Sequence, residues 1–379
     1  MRIYPNIYSD FSCIGGNCEA TCCGGWKITL DEKTYENYIN IPGDFGDFVR
    51  ENIESNHLIR MTEDEACPFL NEEGLCQIYI HCGENYLSNT CTQFPRRNMN
   101  MGNIHFLGLS LSCEEVLRLL YHTESQIELC ITGKAGLAKR EDSFLQLLEW
   151  SIKLLQDEKI PFGIALGTVC YLGSMAFDAW KAKDYEQVRL RFTQLPSVME
   201  EFLQAKQDLM PEELQEIALH HIFNVVDTFN QVVFKSTLPN KDSYLCEDSY
   251  FHMSDQQRKD YMIQLVEKNR GNVIKDTPVT RKVAASFLIG HLLSIVSETS
   301  EQVFTASFAN YVLLSRVLPL TWSQDVQCDE RQYLATMARF GRVFDQSHAM
   351  QNLIWPVIKD LFEPDVLTYA MSFMYLFPE

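Results

Sequence analysis

Phe11-Ser12-Cys13-Ile14-Gly15-Gly16-Asn17-Cys18-Glu19-Ala20-Thr21-Cys22-Cys23-Gly24-Gly25-Trp26 carries four thiols in the spacing Cys-x4-Cys-x3-Cys-Cys. Five more follow at Cys67, Cys76, Cys82, Cys91 and Cys113, so most of the chain's 13 cysteines fall within residues 13–113. The others, Cys130, Cys170, Cys246 and Cys328, stand singly in apolar helical patterns, where a small buried thiol is ordinary. Close-set thiols outside a secretory context hold a metal or an iron–sulfur cluster, or act as a redox pair, because a reducing cytosol does not keep structural disulfides. The glycine pairs at 15–16 and 24–25 supply turns that can aim several sulfurs at one centre.

Working outward, the chain of 379 residues exceeds one ordinary core and predicts two domains, and its 46% apolar content is that of a globular protein. Residues Met1 to Asp10 show neither an apolar h-region nor a small-residue cleavage site, which predicts a cytoplasmic protein without a secretory signal. The quiet stretch from Gly163 to Phe177 is broken by Thr168 and Ser174 and falls short of the ~20 residues of a bilayer span, so it reads as a buried helix, with no membrane partner. A net charge of −19 argues against nucleic acid, which needs a Lys/Arg surface to displace counterions. Such a charge suits a lysine-bearing partner, with plain solubility as the simpler role.

Between the thiols, Trp26 to Leu30 alternates like a short strand, and Asp31 caps a helix running to about Ile41. Residues 42–66 read as a polar loop with a helical middle. Cys67-Pro68-Phe69-Leu70 and Gly74-Leu75-Cys76-Gln77-Ile78-Tyr79 read as two strand-like arms of a hairpin that brings both sulfurs to one side. Glu114 to Leu120 opens a helix with acids in its first turn. Beyond a boundary near 124–141 the pattern becomes amphipathic helices at 143–155, 164–182, 185–205, 211–234, 254–268, 281–297, 299–318, 329–346 and 348–376. Capping-box sequences begin at Ser254 and Thr299. The fold class is therefore mainly α: a small cysteine-rich metal- or cluster-binding N-terminal domain with short strands, residues 1–125, followed by an irregular all-helical domain, residues 126–379.

The spacings rule out two common sites. A radical centre built on Cys-x3-Cys-x2-Cys finds its first two sulfurs in Cys18 and Cys22, but the third position is Gly25. Paired Cys-x2-Cys zinc knuckles are absent as well. Four-sulfur iron or zinc sites remain open. The adjacent Cys22 and Cys23 can serve two different ones, and eight or nine sulfurs can fill two.

The run Cys-x3-Cys-Cys, then Cys67-Pro68-Phe69-Leu70, Gly74-Leu75-Cys76-Gln77-Ile78-Tyr79, and Thr90-Cys91 with Phe94-Pro95-Arg96, resembles the cysteine-cluster proteins described as zinc- or iron-chelating. With Ile3-Tyr4-Pro5, the Phe11–Trp26 stretch and Leu109-Ser110-Leu111-Ser112-Cys113, it is similar to the flagellin lysine-N-methylases. The resemblance covers residues 3 to about 120 and continues only in pieces such as Phe308–Tyr311 and Arg339–Gln346. It implies a protein-lysine N-methyltransferase that moves a methyl group from S-adenosylmethionine to the ε-amine of flagellin surface lysines and contains an iron–sulfur cluster, 4Fe–4S, with zinc as the alternative metal. The thiols carried over are Cys13, Cys18, Cys22, Cys23, Cys67, Cys76, Cys91 and Cys113, while Cys82 falls outside the pattern.

Such chemistry needs the substrate amine deprotonated, usually beside tyrosine hydroxyls, carbonyls or a carboxylate. Tyr79, Tyr86, Tyr121 and Glu114 lie near the thiol motifs, but half-buried core tyrosines look the same in sequence, so no catalytic residue is assigned. The chain lacks the Gly-rich strand-to-helix loop of the common methyltransferase fold. Arg96 is the candidate to bind the carboxylate of the cofactor's methionine end, with ion pairing to the acidic surface as its plainer role. The alternative of another class is a non-catalytic metal- or iron–sulfur-binding protein whose helical domain recognises a protein partner. Binding of S-adenosylmethionine separates the two.

Overall fold

Ile3 is fully buried because its strand lies between two others. Strand β1 (Arg2–Pro5) pairs in parallel with β3 (Ile104–Leu109) and antiparallel with β4 (Leu129–Thr132), and β2 (Arg96–Met101) pairs antiparallel with β3. The sheet order is β2-β3-β1-β4. Ile104 and Phe106 alternate inward along β3, and Phe106 meets Phe144 edge-on at 5.6 Å. The computed structural model describes residues 1–24, 28–64, 66–133, 136–235, 248–271, 276–298, 330–346 and 366–377.

The architecture is mainly α with a short-stranded N-terminal region. One buried cluster joins Ile3, Phe106 and Leu120 to Leu147, Phe162, Phe229 and Phe340, so residues on both sides of position 125 share it. A separate small core holds Ile28, Leu30, Tyr38, Val49, Phe69 and Ile78, with the Cys67 thiol inside it. Around this core lie α1 (Glu32–Ile39), α2 (Gly43–Glu51) and α3 (Gln77–Cys82). Asp31 caps α1: its carboxylate accepts from Thr34 N (3.1 Å) and Thr34 Oγ1 (2.7 Å) and also from Asn89 N (3.1 Å). Those bonds, Thr34's first, hold its carboxyl below the usual range.

Local readings depart from the observed elements in four places. In the described part of the Trp26–Leu30 stretch, only an isolated bridge forms, Thr29 to Leu58. The helix of the 42–66 segment starts it rather than sitting mid-loop. The supposed hairpin closes only at Leu70–Cys76, and its second arm turns at once into α3. The helix expected over 185–205 is two, α8 (Tyr185–Thr193) and α9 (Leu195–Asp208), because Pro196 suits a first turn and not a helix interior. The Ser254 capping box forms as its sequence predicts. The helix expected at 299–318, its Thr299 box, Cys246 and Cys328 lie outside the described residues.

The helical body contains α5 (Glu114–His122), α6 (Lys139–Leu155), α7 (Phe162–Lys181), α10 (Pro211–Lys235), α11 (Asp248–His252), α12 (Asp255–Asn269), α13 (Pro278–Glu298), α14 (Glu330–Gln346) and α15 (Val366–Leu376). Among the described residues α7 alone is long and apolar enough to cross a membrane, and 75% of that stretch is buried inside the protein.

Where α10 meets α15, His221 Nδ1 lies 2.7 Å from Ser372 Oγ. The Ser372 hydroxyl donates to Thr368 O, so its oxygen accepts from the ring and the proton sits on Nδ1. Burial, and then the neighbouring His220, push the His221 pKa down to about 4. As pH falls below the ordinary value of about 6.5 the unfolded chain takes this proton first, so stability is lost between about pH 6.5 and 4, by about 3 kcal/mol. Denaturant melts at pH 7 and pH 4.5 should show this loss in the wild type and a smaller one in His221→Asn; equal losses would remove His221 as its source.

Candidate metal centre

Each thiol motif is placed by a turn or a helix start. Cys76 precedes the first residue of α3 and Cys113 that of α5, where the unpaired N–H groups of a first turn favour negative charge. The N–H groups of Tyr79 and Val116 accordingly pull these two thiols toward the thiolate. Cys91 lies in the first turn of α4 (Asn89–Gln93), its N–H held by the capping Ser88 Oγ at 3.1 Å. Cys13 Sγ accepts from Gly15 N at 3.4 Å. Gly16 lies so close to the Asn71–Gly74 turn that a Cβ there would stand 2.3 Å from Glu73 O.

The thiols act on one another in two groups. Burial raises Cys18 to about 12, helped by the charges of Glu114, Cys13 and Glu115. Cys113 is likewise raised to about 12, chiefly by burial and then by Cys18 and Cys13. In the second group burial raises Cys67, with Cys23, Cys91 and Cys76 adding to it. Cys91 is raised to about 11 by burial, then by Cys23 and Cys76. Cys23 is raised by its hydrogen bond with Cys22 and then by burial. Cys76 and Cys82 are raised by burial first.

By identity, thiols are the donors that a soft metal prefers. The shifted thiols Cys18, Cys23, Cys67, Cys91 and Cys113 each have another thiol among the causes that raise them, a charge that a thiophilic cation would offset. As they stand, no three His, Cys, Asp or Glu side chains among the described residues are already placed to hold an ion. The structure thus gathers the thiols without closing them on a point.

The other expected residues are distributed as follows. Arg96 opens β2 half-buried, its guanidinium 4.9 Å from the Phe11 ring centre and its Nη2 donating to Phe11 O at 3.5 Å. Arg97 Nη1 donates to Gly290 O at 3.3 Å. Glu114 is buried, accepting from Ala20 N at 2.7 Å, so it braces the cysteine loop. Tyr79 and Tyr121 are exposed on α3 and α5, and Tyr86 packs half-buried against the small core. Two residues near the thiols escape sequence reading. Tyr38 is buried, and its phenol is raised by burial and then by Cys91, Cys76, Cys67 and Cys82. Arg342 reaches the cysteine loop from α14. Tyr38 looks like any apolar helix position, and nothing local marks Arg342.

Fold and site together define a mainly α chain with a short-stranded N-terminal region rich in free cysteines. The chain is 34% identical over 125 residues to a protein named Lysine-N-methylase from Salmonella choleraesuis and to another of that name from Salmonella typhimurium, covering 30% of this chain and 30% of each. It is 33% identical over 125 residues to the Flagellar biosynthetic protein FliU of Salmonella muenchen, covering 30% of this chain and 72% of that one. The chain belongs to the flagellin lysine-N-methylase family. Its match spans under a third of the length of the two lysine-N-methylases. No family model matches the chain, and no solved structure does.

Proposed function

We propose that this protein is a cytoplasmic protein-lysine N-methyltransferase that uses S-adenosylmethionine to methylate surface lysines of flagellin. Membership of the lysine-N-methylase family carries the reading. The net charge of −19 supports it, since an acidic surface attracts a lysine-bearing one. In the reaction the neutral amine attacks the methyl carbon, the carbon–sulfur bond of the sulfonium breaks to leave a neutral thioether, and the amine loses its proton to a base. Arg96 would hold the carboxylate of the cofactor's methionine end. Cys13, Cys18, Cys22, Cys23, Cys67, Cys76, Cys91 and Cys113 would hold iron–sulfur, of the 4Fe–4S type, or zinc at the same sulfurs; either would tie the N-terminal region into one shape.

Protein purified without oxygen, incubated with flagellin and methyl-labelled S-adenosylmethionine, should place label on lysines, each addition raising the flagellin mass by one methyl. Methylation keeps the lysine charge, so electrophoretic charge should not change. Metal-loaded protein that binds flagellin yet leaves it unlabelled would instead establish the non-catalytic recognition module.

A further inference from the structure

Residues 28–91 carry 13 Asp and Glu against 3 Lys and Arg, a net charge of −10 in 64 of the 379 residues. The rest of the chain, with 38 acids against 29 bases, contributes the other −9. This acidic segment is the one that folds around the small core of Ile28, Phe69 and Ile78. Three bases cannot neutralise thirteen acids, and Arg50 already pairs with Asp47 at 2.6 Å while its Nη1 donates to the carbonyls of Ile39 and Ile41. The surplus charge therefore lies on the surface of this lobe, where Asp44, Glu72, Glu73 and Glu84 are exposed.

The same lobe exposes apolar side chains. Helix α3 turns Ile78 inward and leaves the adjacent Tyr79 and Ile80 outside, 54% and 53% exposed. Leu75, just ahead of the helix, is exposed as well. His81 stacks on Phe45 of α2 with ring centres 4.3 Å apart, so the outward side of α3 continues onto the start of α2. Asp44 and Asp47 flank Phe45 in α2, Glu72 and Glu73 lie in the turn before Leu75, and Glu84 follows the end of α3. An exposed aromatic and aliphatic pair set among charges of one sign has the make-up of a recognition surface, an apolar centre with a polar rim.

The charge selects the occupant. A second copy of the chain would bring another −10 against this face, and nucleic acid and anionic lipid headgroups are repelled in the same way. A cationic protein surface is attracted, and lysine answers both halves of the face. Its ammonium meets the carboxylates, while its methylene stem can lie along Tyr79 and Ile80. We infer that the outward face of α3, with the acids around it, docks the lysine-bearing surface of flagellin. The inference rests on the flagellin reading above and adds the place where that substrate is held, apart from any residue that transfers the methyl group.

The test is the affinity of full-length protein, purified without oxygen, for flagellin at low and at high salt. Tyr79→Gln with Ile80→Gln should weaken binding about tenfold at either salt. Glu72→Gln, Glu73→Gln and Glu84→Gln together should weaken it about tenfold at low salt and far less at high salt, where the charges are screened. Glu200→Gln, Glu201→Gln and Glu216→Gln make the same charge change on α9 and α10 and should leave binding unchanged. In the methyl-labelling assay both lobe sets should raise KM for flagellin and leave kcat as it is. Circular dichroism checks that each set folds, and should one misfold the other decides. Unchanged affinity in a folded lobe set, or an equal loss in the α9 and α10 set, overturns this face while the methylase reading stands. Wild-type protein that neither binds nor labels flagellin overturns that reading and the docking surface with it.

Discussion

Cys67→Ser and Cys76→Ser should each lose metal and unfold the small core, whereas Cys170→Ser should keep both metal and fold. Cys67 is buried in that core with its N–H on Cys23 O at 2.6 Å, and Cys76 closes the Leu70 bridge. Cys170, fully buried in α7, lies away from both thiol groups. The small core sits apart from the main one, and a core of that size gains little stability from burial alone. Structural metal contributes about 10–16 kcal/mol in small thiol-bound domains, of the order of a whole domain's stability of about 5–15 kcal/mol. Hydrogen exchange should therefore lose protection across residues 28–87 in the two front variants while the sheet and α6 keep theirs. Full metal content in both variants would remove these cysteines from the ligand set.

The thiols were legible because cysteine carries its chemistry in its identity, so spacing alone brought Cys13 to Cys113 into view. Long helices were legible for a similar reason: α6 and α10 have acids in their first turns and α12 a formed capping box, as their sequences predict. The β2–β3 hairpin was not. Arg96-Arg97-Asn98-Met99-Asn100-Met101 is too polar to look like a strand, and it pairs because β3 offers the better apolar edge. The second hairpin arm failed differently, since Gln77 to Cys82 has strand-like composition but follows a residue whose position suits a helix start. Arg342 and Glu114 show the deeper limit. Their roles arise only when helices distant in sequence close over the Cys18–Cys23 loop, a tertiary fact that no window of residues contains.

Arg281→Met should destabilise the folded chain by about 3 kcal/mol, the low end of the cost of breaking a buried ion pair. Its guanidinium is almost wholly enclosed, pairing with Asp276 through Nε (2.7 Å) and Nη2 (2.6 Å) in a two-pronged geometry. The remaining donors reach the carbonyls of Leu155 (3.2 Å), Asp157 (2.8 Å) and Ile160 (2.7 Å), which close the turn between α6 and α7. The group also lies 5.2 Å over the Phe162 ring. One side chain at the start of α13 thus donates to three carbonyls where one helix ends and the next begins; without it Asp157 O keeps the Ile160 N–H (3.1 Å), while Leu155 O and Ile160 O lose this donor. The estimate stays at the low end because the Asp276 side chain keeps 29% exposure and can return partly to water. Arg281→Lys retains charge but offers one ammonium where five contacts converge, so it should fall between the two. Adding Asp276→Asn to Arg281→Met should recover part of the loss, because the orphaned carboxylate is then neutral. Denaturant midpoints for the wild type, the two single variants and the double variant measure the coupling. A loss below about 1 kcal/mol for Arg281→Met would show that water replaces these bonds and that α13 is anchored elsewhere.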